Sequence, residues 1–280
     1  MLLVIDVGNT SITWGVYKGD ELVNDFRTST VKTRTSDEYG LIFINTLTHA
    51  NIDPQDIENV IISSVVPNLM HTLPSMIRKY FNKNPMIVSA DLDLGLNIKY
   101  DNPKEVGADR LVNAVGALEI YGKKSIIVDI GTAMTFCIVD EEKNYLGGLI
   151  MPGIGISAEA LFMMTSKLPK IEIIAPDKVI QSNTVGAMQS GLYYGYTEMI
   201  DGIVAKLLKE LNWKEEDTNI ISTGGFSTML TSDSKYNFII NKFLTLEGLK
   251  IIFEKNSNID WEWFFVKNFS TNGRLHRHSL

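Results

Sequence analysis

The sequence predicts an α/β protein made of two related lobes that face each other across a cleft. Three observations carry this. First, a run near the N-terminus, LLVIDVGNT at 2–10, returns as SIIVDIGTA at 125–133, so that Asp6 and Asp129 stand 123 positions apart in a chain of 280 residues. Second, each copy is followed by another strand-like run (12–17 and 135–139) and then a polar turn (18–21 and 140–144), so both read as strand, tight turn, strand. Third, the segments between and after the copies alternate period-2 with period-3.6 apolar spacing, which is the signature of an α/β layering. Two copies with matched flanks, nearly half a chain apart, point to duplication.

Taken in order, the first hairpin (2–17) precedes an amphipathic helix over 39–50, a strand over 60–66, a helix over 73–81 and a strand over 86–89. A helix over 108–120 leads into the second hairpin (125–139). Helices then follow over 156–161 and 184–211, a strand over 219–223 and a helix over 246–254. The helices carry apolar residues at i, i+3 and i+4; in 184–211 these are Met188, Leu192, Tyr196, Met199 and Ile203, the pattern of a core or subunit-interface helix. The division expected is 1–116 for the N-terminal lobe and 117–256 for the C-terminal lobe. The tail, 257–280, lacks periodicity and clusters aromatics beside RLHRH, and is expected to be poorly ordered.

Composition narrows the function classes. A net charge of −7 and a pI near 5.2 offer no basic surface for nucleic acid. No apolar run approaches the roughly 18 residues of a membrane span, and MLLVIDVGNT has neither the basic start nor the long apolar core of a signal peptide, so a cytoplasmic protein is expected. Cys137 is the only cysteine, and His49, His71, His276 and His278 form no metal-ligand pair within the body of the chain.

The chemistry concentrates in the repeated turn. In DVGNTSIT (6–13) the glycine lets backbone approach a ligand, Asn9, Thr10, Ser11 and Thr13 supply donors, and consecutive N–H groups can form an anion nest. Asp6, at the end of its strand, can hold a hydrated divalent cation. One such stretch alone is equally an ordinary hairpin turn; the second copy at 129–132 favours phosphate binding. GALEIYGKKS (116–125) mimics a Walker A loop, yet five residues separate its glycines, Lys124 takes the hydroxyl position, and it precedes a strand. Gly153–Ala158 fits G-x-G-x-x-A, but Pro152 and Gly147-Gly148 break the strand a dinucleotide loop requires, leaving a glycine-rich helix start. In STGGFS (222–227), Gly224 and Gly225 end a strand where backbone can lie against adenine or ribose, or simply turn into a helix. In VGADRL (106–111), Asp109 stands near a helix start and Arg110 can clamp a carboxylate or phosphate; a helix-capping acid with a surface ion pair is the plainer reading.

Paired D-x-G hairpins with a later Gly-Gly turn are the phosphate-binding arrangement of the actin and sugar-kinase superfold, whose actin-like (ribonuclease H-like) lobes are mixed sheets with flanking helices. Within it, DVGNT, SSVVP, YDNPKEVGADR, DIGTAMT, GGLIMPG, NTVGAMQSGLYYG, STGG and LTLEGL, in that order, resemble the type III pantothenate kinases over about residues 1–256. The resemblance implies ATP-dependent phosphorylation of pantothenate to 4′-phosphopantothenate, the first step toward coenzyme A. It implies that Asp6, Val7, Gly8, Asn9, Thr10, Ser11, Ile12 and Thr13 form the ATP phosphate loop, with Thr132, Gly224 and Gly225 also at the nucleotide. It makes Asp109 the general base, and Tyr100, Gly107, Ala108, Asp109 and Arg110 the pantothenate contacts, with Thr184 added from the second subunit of a homodimer. It implies Mg²⁺ near Asp6, through water, and a monovalent cation, K⁺ or NH₄⁺, on Asp129. Because the loop lacks lysine, charge neutralisation falls to these cations.

The chain departs from the family where Met134 and Cys137 replace the common Thr and Asp; if that Asp supports the cation site or the hairpin in the family, cation binding differs here. Ser227 replaces the usual Ala, and IINKF stands where an acidic, proline-containing approach is usual. Two other readings compete: a different small-molecule kinase of the same superfold, and a non-catalytic accessory factor of transcription. The first is separated by its acceptor; the second is disfavoured by the acidic pI and by the retention of all three carboxylates.

Overall fold

A computed structural model of the chain describes residues 1–257; the expected tail, apart from Ser257, lies outside the described residues. The first sheet is built from β1 (Leu2–Val7), β2 (Ser11–Lys18), β3 (Glu21–Ser29), β4 (Asn59–Ser64) and β5 (Met86–Ile87), in the order β3-β2-β1-β4-β5. β6 (Asn97–Ile98) crosses over to the second sheet, where β7 (Ser125–Ile130), β8 (Ala133–Val139), β9 (Asn144–Pro152), β10 (Asn219–Thr223) and β11 (Ile239–Ile240) run in the order β11-β10-β7-β8-β9-β6. Setting β6 aside, the second sheet repeats the first strand for strand. In both, three antiparallel strands are followed by two parallel ones. The fold is thus α/β with two related actin-like lobes, and the LLVIDVGNT echo marks the same strand and turn in each.

Helices α1 (Ser36–His49) and α2 (Thr72–Phe81) cover the outer face of the first sheet; α4 (Ile154–Met164), α5 (Thr184–Leu211) and the short α6 (Ser227–Thr231) cover that of the second. Each outer core is apolar and tight: in the first lobe Trp14 stacks on Phe43 at 4.2 Å between ring centroids. The start of α1 shows how local sequence sets an element. Thr35 caps it and Glu38 closes a capping box, just before the apolar positions Tyr39, Phe43 and Leu47 turn inward.

Between the sheets lie α3 (Ala108–Tyr121) and α7 (Leu244–Asn256), which share one core with Val4 and Ile61 of the first sheet and Ile127, Cys137 and Ile221 of the second. The two helices cross closely because Gly116 and Gly248 leave no side chain at the crossing. A Cβ on Gly116 would sit 2.9 Å from the Leu244 carbonyl oxygen, and one on Gly248 would press on the Val112 carbonyl. The halves therefore interlock: β6 from the first half joins the second sheet, and α7 from the second packs against β1. Among the described residues no helix is long and apolar enough to cross a membrane.

Candidate active site at the lobe junction

The two repeated turns meet at the carboxyl-terminal ends of β1 and β7, where open α/β sheets place their ligands. Each turn is closed by a glycine N–H: Gly8 donates to the Ser11 carbonyl and Gly131 to the Ala133 carbonyl, both at 3.1 Å. Each is also held from behind by the end of its third strand, through Thr30 N–H to the Thr10 carbonyl and Gly153 N–H to the Thr132 carbonyl. The turns touch directly, Thr132 Oγ1 donating to Thr10 Oγ1 at 2.8 Å across the junction.

Below the turns the register repeats as well. Asp6 lies between Thr13 on β2 and Ser63 on β4; Asp129 lies between Thr135 on β8 and Thr223 on β10. Each carboxylate therefore sits in a row of hydroxyl side chains on the cleft face of its sheet. The third carboxylate, Asp109, comes from the first turn of α3. Its Oδ1 accepts the Arg110 N–H at 2.8 Å, and a Cβ on Gly107 would lie 2.6 Å from that oxygen, so the glycine lets the carboxylate keep this position. Asp6, Asp109 and Asp129 all line one cleft of about 450 Å³, with Gly8, Asn9, Ser11, Thr13, Thr132, Gly224 and Gly225.

Burial and mutual repulsion set the protonation of this cluster. Burial first, then the charges of Asp109 and Asp129, push Asp6 up to about 8, with the Ser63 hydroxyl partly offsetting them. Asp129 is pushed up to about 6 by burial and by Asp109, against the hydrogen bond it receives from Asn113. Burial raises Asp109 above the usual carboxylate range, opposed by the Arg110 N–H and charge. Three half-buried carboxylates facing one cleft repel one another, and a cation between them would relieve that repulsion.

Of the three carboxylates, Asp129 is held in place by the most side-chain hydrogen bonds and glycine space. Its Oδ2 takes the Asn113 side-chain N–H at 3.0 Å, and Thr245 on α7 donates in turn to Asn113 Oδ1 at 2.7 Å, which fixes the amide orientation. Its Oδ1 faces Gly224, where φ is +90° and a Cβ would intrude to 2.6 Å, so the glycine keeps room beside that oxygen. The donors are all oxygen, the chemistry that suits Mg²⁺ and K⁺. Among the described residues no group of three or more His, Cys, Asp or Glu side chains is arranged to hold a metal ion by itself. The set therefore fits a cation that takes its remaining ligands from water and phosphate.

Not all predicted residues meet in the cleft. Val7 and Ile12 turn their side chains into the first-lobe core, so only their backbone serves the turn. Tyr100 and Arg110 are not among the residues that line the cleft and form a second cluster. Arg110 is 5% exposed, its Nε donates to Cys137 Sγ at 3.2 Å, its guanidinium lies 5.8 Å from the Tyr145 ring centre, and one of its terminal nitrogens has no partner. Tyr100 lies against Gly147, one residue from the Gly148 that borders Arg110. The departures at Met134 and Cys137 fall away from Asp129: Met134 is buried in the second-lobe core, and Cys137 opposes Ile127 on the face that meets Arg110. Cys137 thus meets Arg110 first, and through that side chain and its own charge coupling it is linked to Asp109. Thr184 opens α5, exposed and outside the cleft. Several lining residues were not foreseen from sequence: Asp25 and Arg27 on β3, and Lys242, Phe243 and Thr245 around the start of α7.

Comparison with known proteins agrees with this architecture. The family profile for type III pantothenate kinase matches residues 2–206. A type III pantothenate kinase of Halalkalibacterium halodurans is 48% identical over 256 residues, which is 91% of this chain and 100% of that protein. Two solved structures share the fold at low identity. One is described as a Baf family transcriptional activator of Campylobacter jejuni (TM-score 0.56, 20% identity, covering 92% of this chain and 100% of that one). The other is described as a 2-dehydro-3-deoxygalactonokinase of Sinorhizobium meliloti (TM-score 0.57, 10% identity, covering 93% and 97%).

Proposed function

This chain belongs to the type III pantothenate kinase family, and from that premise we propose that it transfers the γ-phosphoryl group of ATP to the primary hydroxyl of pantothenate with Asp109 as general base. The product is 4′-phosphopantothenate, the first intermediate toward coenzyme A. The observation that carries this reading is the convergence of Asp6, Asp109 and Asp129 on one cleft beneath two duplicated turns.

Phosphoryl transfer asks for positioning and charge neutralisation more than covalent help from the protein. The turn from Gly8 to Thr13 would hold phosphate oxygens through its backbone and hydroxyl groups, and Gly224 and Gly225 would lie along the nucleoside. Asp6 and Asp129 would hold Mg²⁺ and a monovalent cation, K⁺ or NH₄⁺. Bound cations there would supply neutralisation of the phosphate charge. Asp109, raised in pKa by burial, is a stronger base than an ordinary aspartate and is suited to accept the hydroxyl proton. Arg110, buried with an unpartnered nitrogen, is suited to a carboxylate such as that of pantothenate, with Tyr100, Gly107 and Ala108 beside it.

A homodimer belongs to the same proposal, with Thr184 reaching the acceptor of the second subunit. Its support is a set of exposed apolar side chains at the end of α4 and on the approach to α5. Met164 is 84% and Ile180 85% exposed, with Met163, Val179 and Val185 also uncovered. A cytoplasmic location, with neither nucleic acid nor membrane as partner, completes the reading.

The test is pantothenate-dependent release of ADP from Mg-ATP, with and without K⁺, against a panel of sugars and other hydroxy acids. Turnover with pantothenate alone, stimulated by K⁺, is the expected result. Turnover with another acceptor and none with pantothenate would overturn the substrate, and activity indifferent to monovalent ions would overturn the role of Asp129.

A further inference from the structure

The cleft is lined by four carboxylates, Asp6, Asp25, Asp109 and Asp129, and by two cationic side chains, Arg27 and Lys242. The cations come from opposite lobes. Arg27 is on β3, where the register places it opposite Thr13, itself opposite Asp6. Side chains in register across a sheet share a face. Asp6, Thr13 and Arg27 therefore form a row running from the cleft floor to the sheet's edge. At its outer end Arg27 reaches toward the other lobe, its Nη1 lying 3.6 Å from where a Cβ on Gly225 would be.

Lys242 stands between β11 and α7 in the second lobe. Its position is fixed by Asn241, whose N–H donates to the Ser222 carbonyl at 2.9 Å, on the strand that leads into Gly224-Gly225. Among the described residues neither Arg27 nor Lys242 takes part in an ion pair. Two unpaired cations, exposed in a cleft whose floor is acidic, fit a ligand that is anionic along its length and meets a cation at the floor.

We propose that Arg27 and Lys242 bind the polyphosphate chain of the nucleotide, one from each lobe. This rests on the nucleotide-binding reading above and adds two phosphate-binding residues that the repeated turns do not contain. Arg27 offers a planar fork that pairs with two phosphate oxygens, whereas Lys242 acts as a point charge. Because the two residues belong to different lobes, a chain gripped by both ties the lobes together, and their contributions should not be independent.

The experiment measures calorimetric binding of Mg-ATP and of adenosine to the full chain and to Arg27→Gln, Lys242→Gln, Arg27→Lys and the double glutamine variant, alongside pantothenate phosphorylation. Each single glutamine variant is expected to weaken Mg-ATP binding about tenfold, the loss of one charge-assisted contact. Adenosine binding should stay unchanged, the salt dependence of Mg-ATP binding should flatten, and Arg27→Lys should recover part of the loss. Equal thermal midpoints establish that the variants fold; should one fail to fold, the other single variant decides. Mg-ATP affinities within twofold of wild type, or an equal loss for adenosine, overturn the proposal. A wild-type chain that binds Mg-ATP but leaves pantothenate unphosphorylated defeats the functional reading alone. One that phosphorylates pantothenate while both glutamine variants bind Mg-ATP normally defeats only this inference.

Discussion

Asp109 and Asp6 are buried together, and each makes a separate claim on pH. A base works only when deprotonated, so turnover should rise with pH through an inflection above the 3.8 of an ordinary aspartate, because burial raises Asp109. Asp109→Asn should lower kcat by about 10²–10⁴-fold and remove that inflection while Mg-ATP binding persists; near-normal turnover in a steady-state assay would exclude Asp109 as the base. Asp6, pushed up to about 8, acts on stability with the opposite sense to a salt-bridged carboxylate. The native state holds its proton more tightly than the unfolded chain does. Its contribution is thus fully present at low pH and lost as pH rises through about 8. Asp6→Asn removes the cost of ionising a buried group. It should stabilise the ligand-free protein at pH 8 by on the order of 1–3 kcal/mol, read from urea unfolding, while weakening Mg-ATP binding. Destabilisation at that pH would show that Asp6 is held charged by something other than a ligand.

At the scale of elements, the crossing of α3 and α7 is the least tolerant contact near the site. A methyl group on Gly248 would press on the Val112 carbonyl, so Gly248→Ala should cost about 1–3 kcal/mol in denaturant unfolding and disturb Thr245 one turn earlier. No loss of stability would mean the helices part without penalty. The same scale explains what the sequence disclosed. β1, β2, β7 and β8 were legible because each begins or ends at an Asp-x-Gly turn and buries a β-branched run. β10 and α5 were legible to the residue, the first from its apolar run and the second from a sustained helical period. β3 was not, because as an edge strand it alternates half-buried with exposed residues and spells ELVNDFRTS, a polar series. β9 was masked by Gly147, Gly148 and Pro152, which read as breakers yet end as an edge-side strand. β6 and β11 have two residues each, too few for any period. Missing β3 meant missing Arg27, and missing β11 meant missing Lys242. Charge neutralisation accordingly looked like the business of bound cations alone.

For the whole molecule, duplication was the readable fact, and interlocking was not. Repeated motifs reveal that two lobes exist, whereas the exchange of β6 and the return of α7 depend on packing across the centre, which no local pattern encodes. The proposed dimer is tested at this scale. Met164→Glu with Ile180→Glu places charge in the exposed apolar set and should give a monomer by sedimentation, with pantothenate turnover lost and Mg-ATP binding kept. A variant that remains dimeric would move the interface elsewhere. One feature outlasts any movement of the lobes. Asp109 and Asn113 lie four residues apart on α3, on one face and about 6 Å along its axis. The group assigned to the proton and the group that orients Asp129 are thus mounted on a single rigid rod. The interval between the proposed base and the support of Asp129 is therefore set by one helix, whatever ligand the cleft takes.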